Sequence, residues 1–446
     1  MFNKILIASR GDAALRIVRA CKEMAIKVVS VYSTADANLP HLKMSDETVC
    51  IGGPLPKDSY LNLPNIMSAA WLTNVDAIHP GIGFLSENDE FARVVETSGL
   101  TFIGPSPESI AMMGNKISAK KVAKEMGLNV IEGSDGAVSK TEADFFANKI
   151  GYPVLVKAVA GGAGRGIRIA HNRNELISVI ENAKSEAKSS FGSDEIYIEK
   201  YLPTPRHIEV QIICDKHRNA VHLGERECSI QRKYQKLWEE APSSKLTPDE
   251  RKFVCEMARD FAQKMNYVGL GTMEFLYQDG KFYFMEMNTR LQIEHTITEM
   301  VTGIDLVKEQ IKIAAGEKLS FHQSDVKIDG FAIECRINAE NEKFVSSPGL
   351  IEEYVVPGGY GIRIDSYAYA GYKVQPYYDS MISKLIAYGK TRSECISRLN
   401  RALDEYKISG IDTNILLHKK MISLDEMHNA DYNVKSLEKW IETGKI

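Results

Sequence analysis

Two carboxylates and an amide stand close together in the second half of the chain. Glu274 lies in Gly-Thr-Met-Glu-Phe-Leu-Tyr, and Glu286 and Asn288 lie in Phe-Tyr-Phe-Met-Glu-Met-Asn. Glu286 and Asn288 are two residues apart, so on a strand they share a face. Carboxylate and amide oxygens are hard ligands, suited to Mg²⁺ or Mn²⁺ bridging nucleotide phosphates. The spacing sets a condition. A strict two-residue turn at Asp279-Gly280 pairs Glu274 with residue 285 and turns Glu286 away. Only a longer loop or a β-bulge puts Glu274 opposite Glu286. Without it, these are solvated groups on the outer face of a hairpin.

The polar row runs on at period two: Glu286, Asn288, Arg290, Gln292, Glu294. Arg290 offers a planar fork for a carboxylate or a bicarbonate-like anion, and Glu294 beyond it could act as a general base. The alternative is a polar strand edge. A second constellation is the stretch from Lys157 to Gly166, with Gly161, Gly162, Gly164 and Gly166 beside Arg165. Glycines let backbone N–H groups reach phosphate oxygens with no Cβ in the way. The stretch is neither a Walker A loop nor a GxGxxG opening a helix. Lys157, on the strand leading into it, suits a nucleoside triphosphate; a plain hairpin turn is the alternative. Lys236 lies in a basic run, His207 follows a proline-rich break, and Arg336 has apolar and charged strand neighbours, which also fits a buried ion pair.

These residues need elements to hold them. Lys4–Ala8, Val28–Tyr32, Thr48–Ile51, Asp76–Ile78 and Thr101–Ile103 read as strands, with helices after Asp12 (a candidate N-cap), over Asn62–Leu72 and over Asn88–Ser98. Strand–helix alternation predicts a parallel, doubly wound α/β domain ending near Pro105. Residues 107–130 read as helical connections. Tyr152–Val159, Gly166–Ala170, the polar helix Asn172–Ser190 and Glu195–Tyr201 form a second unit, closed by the break at Pro203 and Pro205. Then follow strands His207–Cys214 and Ala220–Gly224, helix Pro248–Met265, the hairpin Gly271–Tyr277 with Lys281–Asn288, a helix over 303–314, and strands Phe331–Asn338, Leu350–Val356 and Ile362–Asp365. The last hundred residues end in helices.

The chain has 446 residues, about three domains' worth, with 44% hydrophobic and 26% charged residues, a globular mix. A formal charge of −4 gives no overall bias toward nucleic acid. No apolar run is long enough to cross a membrane, and Ile5–Ala8 is too short for a secretory signal. The seven cysteines are scattered without a CxxC pair, which fits reduced thiols in the cytoplasm.

Taken in order, Ala8-Ser9-Arg10-Gly11-Asp12, His79-Pro80-Gly81-Ile82-Gly83-Phe84-Leu85-Ser86-Glu87-Asn88, the glycine loop, Gln235-Lys236 with Glu239-Glu240-Ala241-Pro242, Glu286-Met287-Asn288-Thr289-Arg290-Leu291-Gln292-Ile293-Glu294-His295 and Glu334-Cys335-Arg336-Ile337-Asn338 resemble biotin carboxylase, of the ATP-grasp superfamily. The likeness spans the whole chain. It implies an N-terminal domain over 1–113, an ATP-grasp domain over 114–320 with a mobile lid over 130–203, and a C-terminal domain over 321–446. It implies ATP-dependent carboxylation of biotin by bicarbonate through carboxyphosphate, as the first half-reaction of acetyl-CoA carboxylase in fatty acid synthesis. By resemblance, Glu294 is the base, Lys236 and Arg290 hold bicarbonate with Gln292 and the Ile293 backbone, and Arg336 stabilises the biotin enolate. Glu274, Glu286 and Asn288 match the metal set. Lys116, Lys157, Glu199, Lys200, Leu202, His207 and Gln231 match nucleotide contacts.

Implied partners are a biotin carboxyl carrier protein, since a Met-Lys-Met acceptor is absent here, carboxyltransferase subunits and a second copy of the chain. Nucleic acid and membrane are not implied. Departures from the family pattern are Ser9 for Asn, Ile82 for Tyr, Tyr234 for His, Thr296 for Pro, and Ala160 and Ala163 for glycines. Other readings are the same half-reaction in a pyruvate or propionyl-CoA carboxylase, a carboxylate–amine ligase, and a non-catalytic ATP-grasp paralogue.

Overall fold

In the computed structural model, which describes residues 1–134, 136–159 and 167–446, the first strand, Lys4–Ile7, lies at the centre of a five-stranded parallel sheet. The order is Glu47–Gly52, Lys27–Ser33, Lys4–Ile7, Ala77–His79, Thr101–Phe102. Strand alternation sends Ile5 and Ile7 to one face, into a core shared with Ile17, Val18, Leu306 and Val307. Leu6 goes to the other, with Val29, Val31, Ile66 and Phe91. Burial on both faces is what a parallel sheet requires, and the expected doubly wound architecture is what forms.

The N-cap differs from expectation. The first helix is Gly11–Glu23, capped at Arg10, so Asp12 falls in its first turn. The shift follows from Gly11, whose φ is +64° and whose missing Cβ would lie 3.2 Å from the Tyr367 ring. Asp12 is thereby free to meet Lys384, at 3.2 Å.

The second unit is a three-stranded antiparallel sheet in the order Ile167–Ala170, Val154–Ala158, Ile196–Lys200. Helices Lys140–Ile150 and Arg173–Phe191 cover it. The second helix presents a polar face, as its composition suggests, but Leu176, Ile180 and Ala183 form an apolar stripe against Val154, Val156, Ile196 and Ile198.

The remaining chain builds one eight-stranded antiparallel sheet. Its order is Lys281–Asn288, Gly269–Gln278, Arg206–Cys214, Ala220–Arg232, Gln235–Ala241, Phe331–Asn338, Met381–Gly389, Ile362–Ser366. Several expectations need correction. The strand read as Ala220–Gly224 runs on to Arg232. Gln235–Ala241, where only Lys236 is read above, as part of a basic run, is a strand, and so is Met381–Gly389. Leu350–Val356 is two short strands, Gly349–Leu350 and Glu353–Val355. The polar row is not one strand edge: pairing stops at Asn288, and Glu294 stands at the N-cap position of helix His295–Thr302 with its carboxylate turned to Lys236 and Arg336. Central strands here carry buried charges, so hydrophobic alternation did not mark them. This sheet takes strands from both sides of residue 320, so the second and third expected domains share it. Among the described residues no helix is long and apolar enough to cross a membrane.

Candidate active site

The register condition is met. A bulge between Glu274 and Phe275 breaks the two-residue-turn pairing and places Glu274 opposite Glu286. Glu274, Glu286 and Asn288 are thus oxygen donors on paired strands, a set suited to Mg²⁺. Glu274 is buried, and its Oε1 accepts from Asn288 Nδ2 at 2.7 Å and Gln292 Nε2 at 3.3 Å. Glu286 reaches outward to Lys116 Nζ, 3.3 Å away.

Lys236 is the hub. From the strand missed in the sequence its ammonium donates to Glu209 Oε2 at 2.5 Å, Glu294 Oε1 at 2.6 Å and Glu274 Oε1 at 2.8 Å. Burial disfavours its charge, but the three carboxylates outweigh burial and raise its pKa well above the lysine range. The same exchange runs the other way at Glu274 and Glu209. Burial would raise them, and Lys236 pulls both down strongly. His207 lies 3.2 Å from Glu274 Oε2, and its Nδ1 accepts from Gln231 Nε2 at 2.9 Å. Burial lowers its pKa, but Glu274 outweighs this and lifts it to about 9.

Glu294 bridges two cations. Its second oxygen accepts from Arg336 Nη2 at 3.0 Å, and Arg336 Nε donates to Glu239 Oε1 at 2.6 Å. Burial raises the Glu294 pKa, yet Lys236 and Arg336 bring it below the usual range. Arg290 donates to Glu87 Oε2 at 2.8 Å, Gln292 Oε1 at 3.2 Å and Asn288 Oδ1 at 3.2 Å. Glu294, Lys236, Arg336, Arg290, Gln292, Asn288, Glu274, His207 and Gln231 therefore form one connected network. The arrangement can hold a small anion on Lys236 and Arg290 with a carboxylate base beside it. Such an anion raises the proton affinity of Glu294 through like charge, which moves a weak base toward the work of proton abstraction.

The other candidates lie at a second centre. Glu199 is buried and receives both Lys120 and Lys157. Burial and the neighbouring Lys120 and Lys116 lower the Lys157 pKa; a triphosphate among these lysines would reverse that sign. Lys116, Lys120, Tyr197, Glu199 and Tyr283 line a cleft of about 1090 Å³ between the three-stranded unit and the hairpin. Lys200 turns elsewhere, donating to Gly151 O at 2.8 Å at the end of helix Lys140–Ile150. The Leu202 carbonyl accepts from Lys435 at 3.5 Å. Gly161, Gly162, Gly164, Arg165 and Gly166 lie outside the described residues.

Sequence reasoning missed Glu209, Arg226, Glu239, Glu87 and Lys120. Glu209 and Gln211 share the period-two face of His207, a signal that could have found them. Arg226 is wholly buried and donates to Glu209 Oε1 at 2.6 Å and Gln211 Oε1 at 2.7 Å. Nothing local marks it. Among the departures, Ile82 is half-buried against the core beside the first sheet, Tyr234 is exposed, and Thr296 Oγ1 donates to Glu334.

Residues 1–110 match the model for the biotin carboxylase N-terminal domain, 115–322 that for the carbamoyl-phosphate synthase L chain ATP-binding domain, and 334–439 that for the biotin carboxylase C-terminal domain. Biotin carboxylase 1 of Bacillus subtilis is 51% identical, covering 100% of both chains. A pyruvate carboxylase chain of Methanothermobacter thermautotrophicus is 48% identical over 99% of this chain and 90% of its own. The biotin carboxylase domain dimer of Hydrogenobacter thermophilus 2-oxoglutarate carboxylase, solved with MgADP, ADP and bicarbonate, superposes with a TM-score of 0.95. It is 46% identical and covers 99% of this chain and 98% of that one.

Proposed function

This chain belongs to the biotin carboxylase family, ATP-dependent ligases that carboxylate biotin, and from that premise we propose how its residues divide the chemistry. Lys116 and Lys157 hold the phosphates of ATP, and His207 and Gln231 line the same substrate. Lys236, Arg290, Gln292 and the Ile293 N–H hold bicarbonate. Glu294 takes the bicarbonate proton, and the freed oxygen attacks the γ-phosphorus, displacing ADP and forming carboxyphosphate. Carboxyphosphate breaks into CO₂ and phosphate. Phosphate removes the proton from biotin N1′, and the enolate attacks CO₂ while Arg336 offsets its charge. Glu274, Glu286 and Asn288 would hold Mg²⁺, which neutralises charge on the transferring phosphoryl group.

The observation that carries this reading is the single Lys236–Glu294–Arg336 chain: one carboxylate held between the proposed bicarbonate cation and the proposed enolate cation. The second cation, Arg336, is what favours this reading over a carboxylate–amine ligase. We further propose that the three-stranded unit within 130–203 is the lid over ATP, beside domains at 1–113, 114–320 and 321–446. A homodimer working in the cytoplasm, with a separate biotin carrier protein and carboxyltransferase subunits, completes the reading as the first half of acetyl-CoA carboxylase. The likeness to the Methanothermobacter pyruvate carboxylase chain supports a second: the same half-reaction feeding a different carboxyl acceptor.

The test is ADP release from MgATP and bicarbonate, with and without free biotin. Stimulation by biotin is expected. Turnover with an amine in place of biotin would point to the carboxylate–amine ligase, and nucleotide binding without any turnover to a non-catalytic paralogue.

A further inference from the structure

The irregular segment between Asn288 and helix His295–Thr302 carries Arg290, Gln292, Ile293 and Glu294. Irregular backbone has no ladder to fix its peptide planes. Here three consecutive carbonyls are held by side chains, and the Gln292 carbonyl also accepts the His295 backbone N–H at 3.4 Å. Arg290 Nη1 reaches Leu291 O at 3.4 Å. His295 Nδ1 meets Gln292 O at 2.7 Å. Lys384 Nζ donates to Ile293 O at 2.9 Å. A carbonyl only accepts, so Nδ1 carries the proton of the His295 ring. Burial keeps that ring neutral, its pKa well below the histidine range. Lys384 is equally buried and lies 3.2 Å from Asp12 in the first helix, so its ammonium ties the segment to the N-terminal domain.

In a trans peptide the C=O and N–H point in opposite directions. Drawing the Gln292 carbonyl onto His295 turns the Ile293 N–H to the other side. Among the described residues no hydrogen bond is made to that N–H, and Ile293 is half-buried rather than sealed in the core. We propose that His295 and Lys384 are positioning residues: His295 fixes the Gln292–Ile293 peptide plane through the Gln292 carbonyl, Lys384 anchors the next plane, Ile293–Glu294, through the Ile293 carbonyl, and with both planes beside Ile293 held, its N–H is presented to bicarbonate as a preorganised donor. This rests on the functional reading above. Neither residue touches the anion. Their effect is on the orientation of a donor whose energy of reorientation would otherwise be paid at binding.

The test compares His295→Leu, His295→Asn and Lys384→Met in the full chain, by the kinetics of biotin-dependent ADP release and by direct MgADP binding. In Asn the amide nitrogen takes the place of Nδ1 and still donates. Loss of one aligned donor predicts that His295→Leu and Lys384→Met raise the KM for bicarbonate about tenfold or more. Affinity for MgADP and KM for ATP stay within about twofold, since a folded nucleotide site is untouched. His295→Asn recovers most of the bicarbonate affinity. An unchanged bicarbonate KM, an equal loss of bicarbonate and ATP affinity, or an Asn variant no better than Leu overturns the clamp. If His295→Leu does not fold, the ratio of bicarbonate to ATP effects in Lys384→Met decides on the same terms. Wild-type protein without bicarbonate-dependent ADP release overturns the functional reading itself and the clamp with it, an outcome distinct from failure of the clamp alone.

Discussion

Glu294 rests as a weak base, because Lys236 and Arg336 hold it ionised. In the role of base proposed for it, its substrate must supply the like charge that strengthens it. Glu294→Gln keeps the shape and removes the proton acceptor, so bicarbonate-dependent ATP cleavage should fall by about 10²-fold or more. Nucleotide binding, measured by MgADP titration, should be nearly intact; surviving cleavage would show that another group is the base. On the far side of Arg336 the opposite case appears. Glu239 and Glu334 face each other across paired strands, each with one unpartnered buried oxygen. Burial outweighs Lys384 and Arg336 and lifts Glu334 to about 8 and Glu239 to about 7. A carboxyl raised in the folded state keeps a proton that the unfolded chain has already lost. Its stabilising effect is complete below the unfolded pKa, near 4.5, and disappears as pH rises through about 8. Glu334→Gln cannot ionise. Denaturant melts from pH 5 to 9 should therefore show a flatter pH dependence than wild type, with the variant gaining relative stability at the alkaline end.

Among the elements, the bulge at Glu274 shows how one extra residue decides chemistry. Without it, the strict register would face Glu286 away from Glu274. The hairpin from Arg232 to Gln235 has a different cost. Lys233 and Tyr234 form its two-residue turn with φ of 48° and 66°, positive values that favour Asn and Gly. Lys233 is exposed, so Lys233→Asn relieves strain without touching the core. Stability should rise by about 0.5–1 kcal/mol, read as a shift in denaturation midpoint with the biotin-dependent rate unchanged. A midpoint that falls would mean that Lys233 makes a compensating contact through its side chain.

Across the full chain, the three-stranded unit stands apart in having its own core, separate from those of the parallel sheet and the body. A unit with its own core can move as a body. If it is the lid, MgATP should slow amide exchange in Val154–Ala158 and Ile167–Ala170 while leaving Lys4–Ile7 and Phe331–Asn338 unchanged. Exchange that slows equally everywhere would argue for global stabilisation by ligand instead.

The parallel N-terminal sheet and the candidacy of Glu274, Glu286, Asn288, Arg290 and Glu294, the first two subject to a bulge, were legible in the linear chain, while Lys236 and Arg336 gained their roles only through the family resemblance. Those signals are local: apolar runs of the right length, residue types at period two, and motifs whose order survives along the chain. Strands Gln235–Ala241 and Met381–Gly389 were illegible because they bury Lys236, Glu239 and Lys384, and alternation is read on the assumption that charge faces water. Arg226 and Lys384 were illegible for a related reason. A buried ion is tolerated only when its partners are present, and those partners come from strands and helices far apart in the chain. Which carboxylates surround Lys236 was settled by folding alone, because the free energy of a buried charge depends on neighbours that the linear order does not contain.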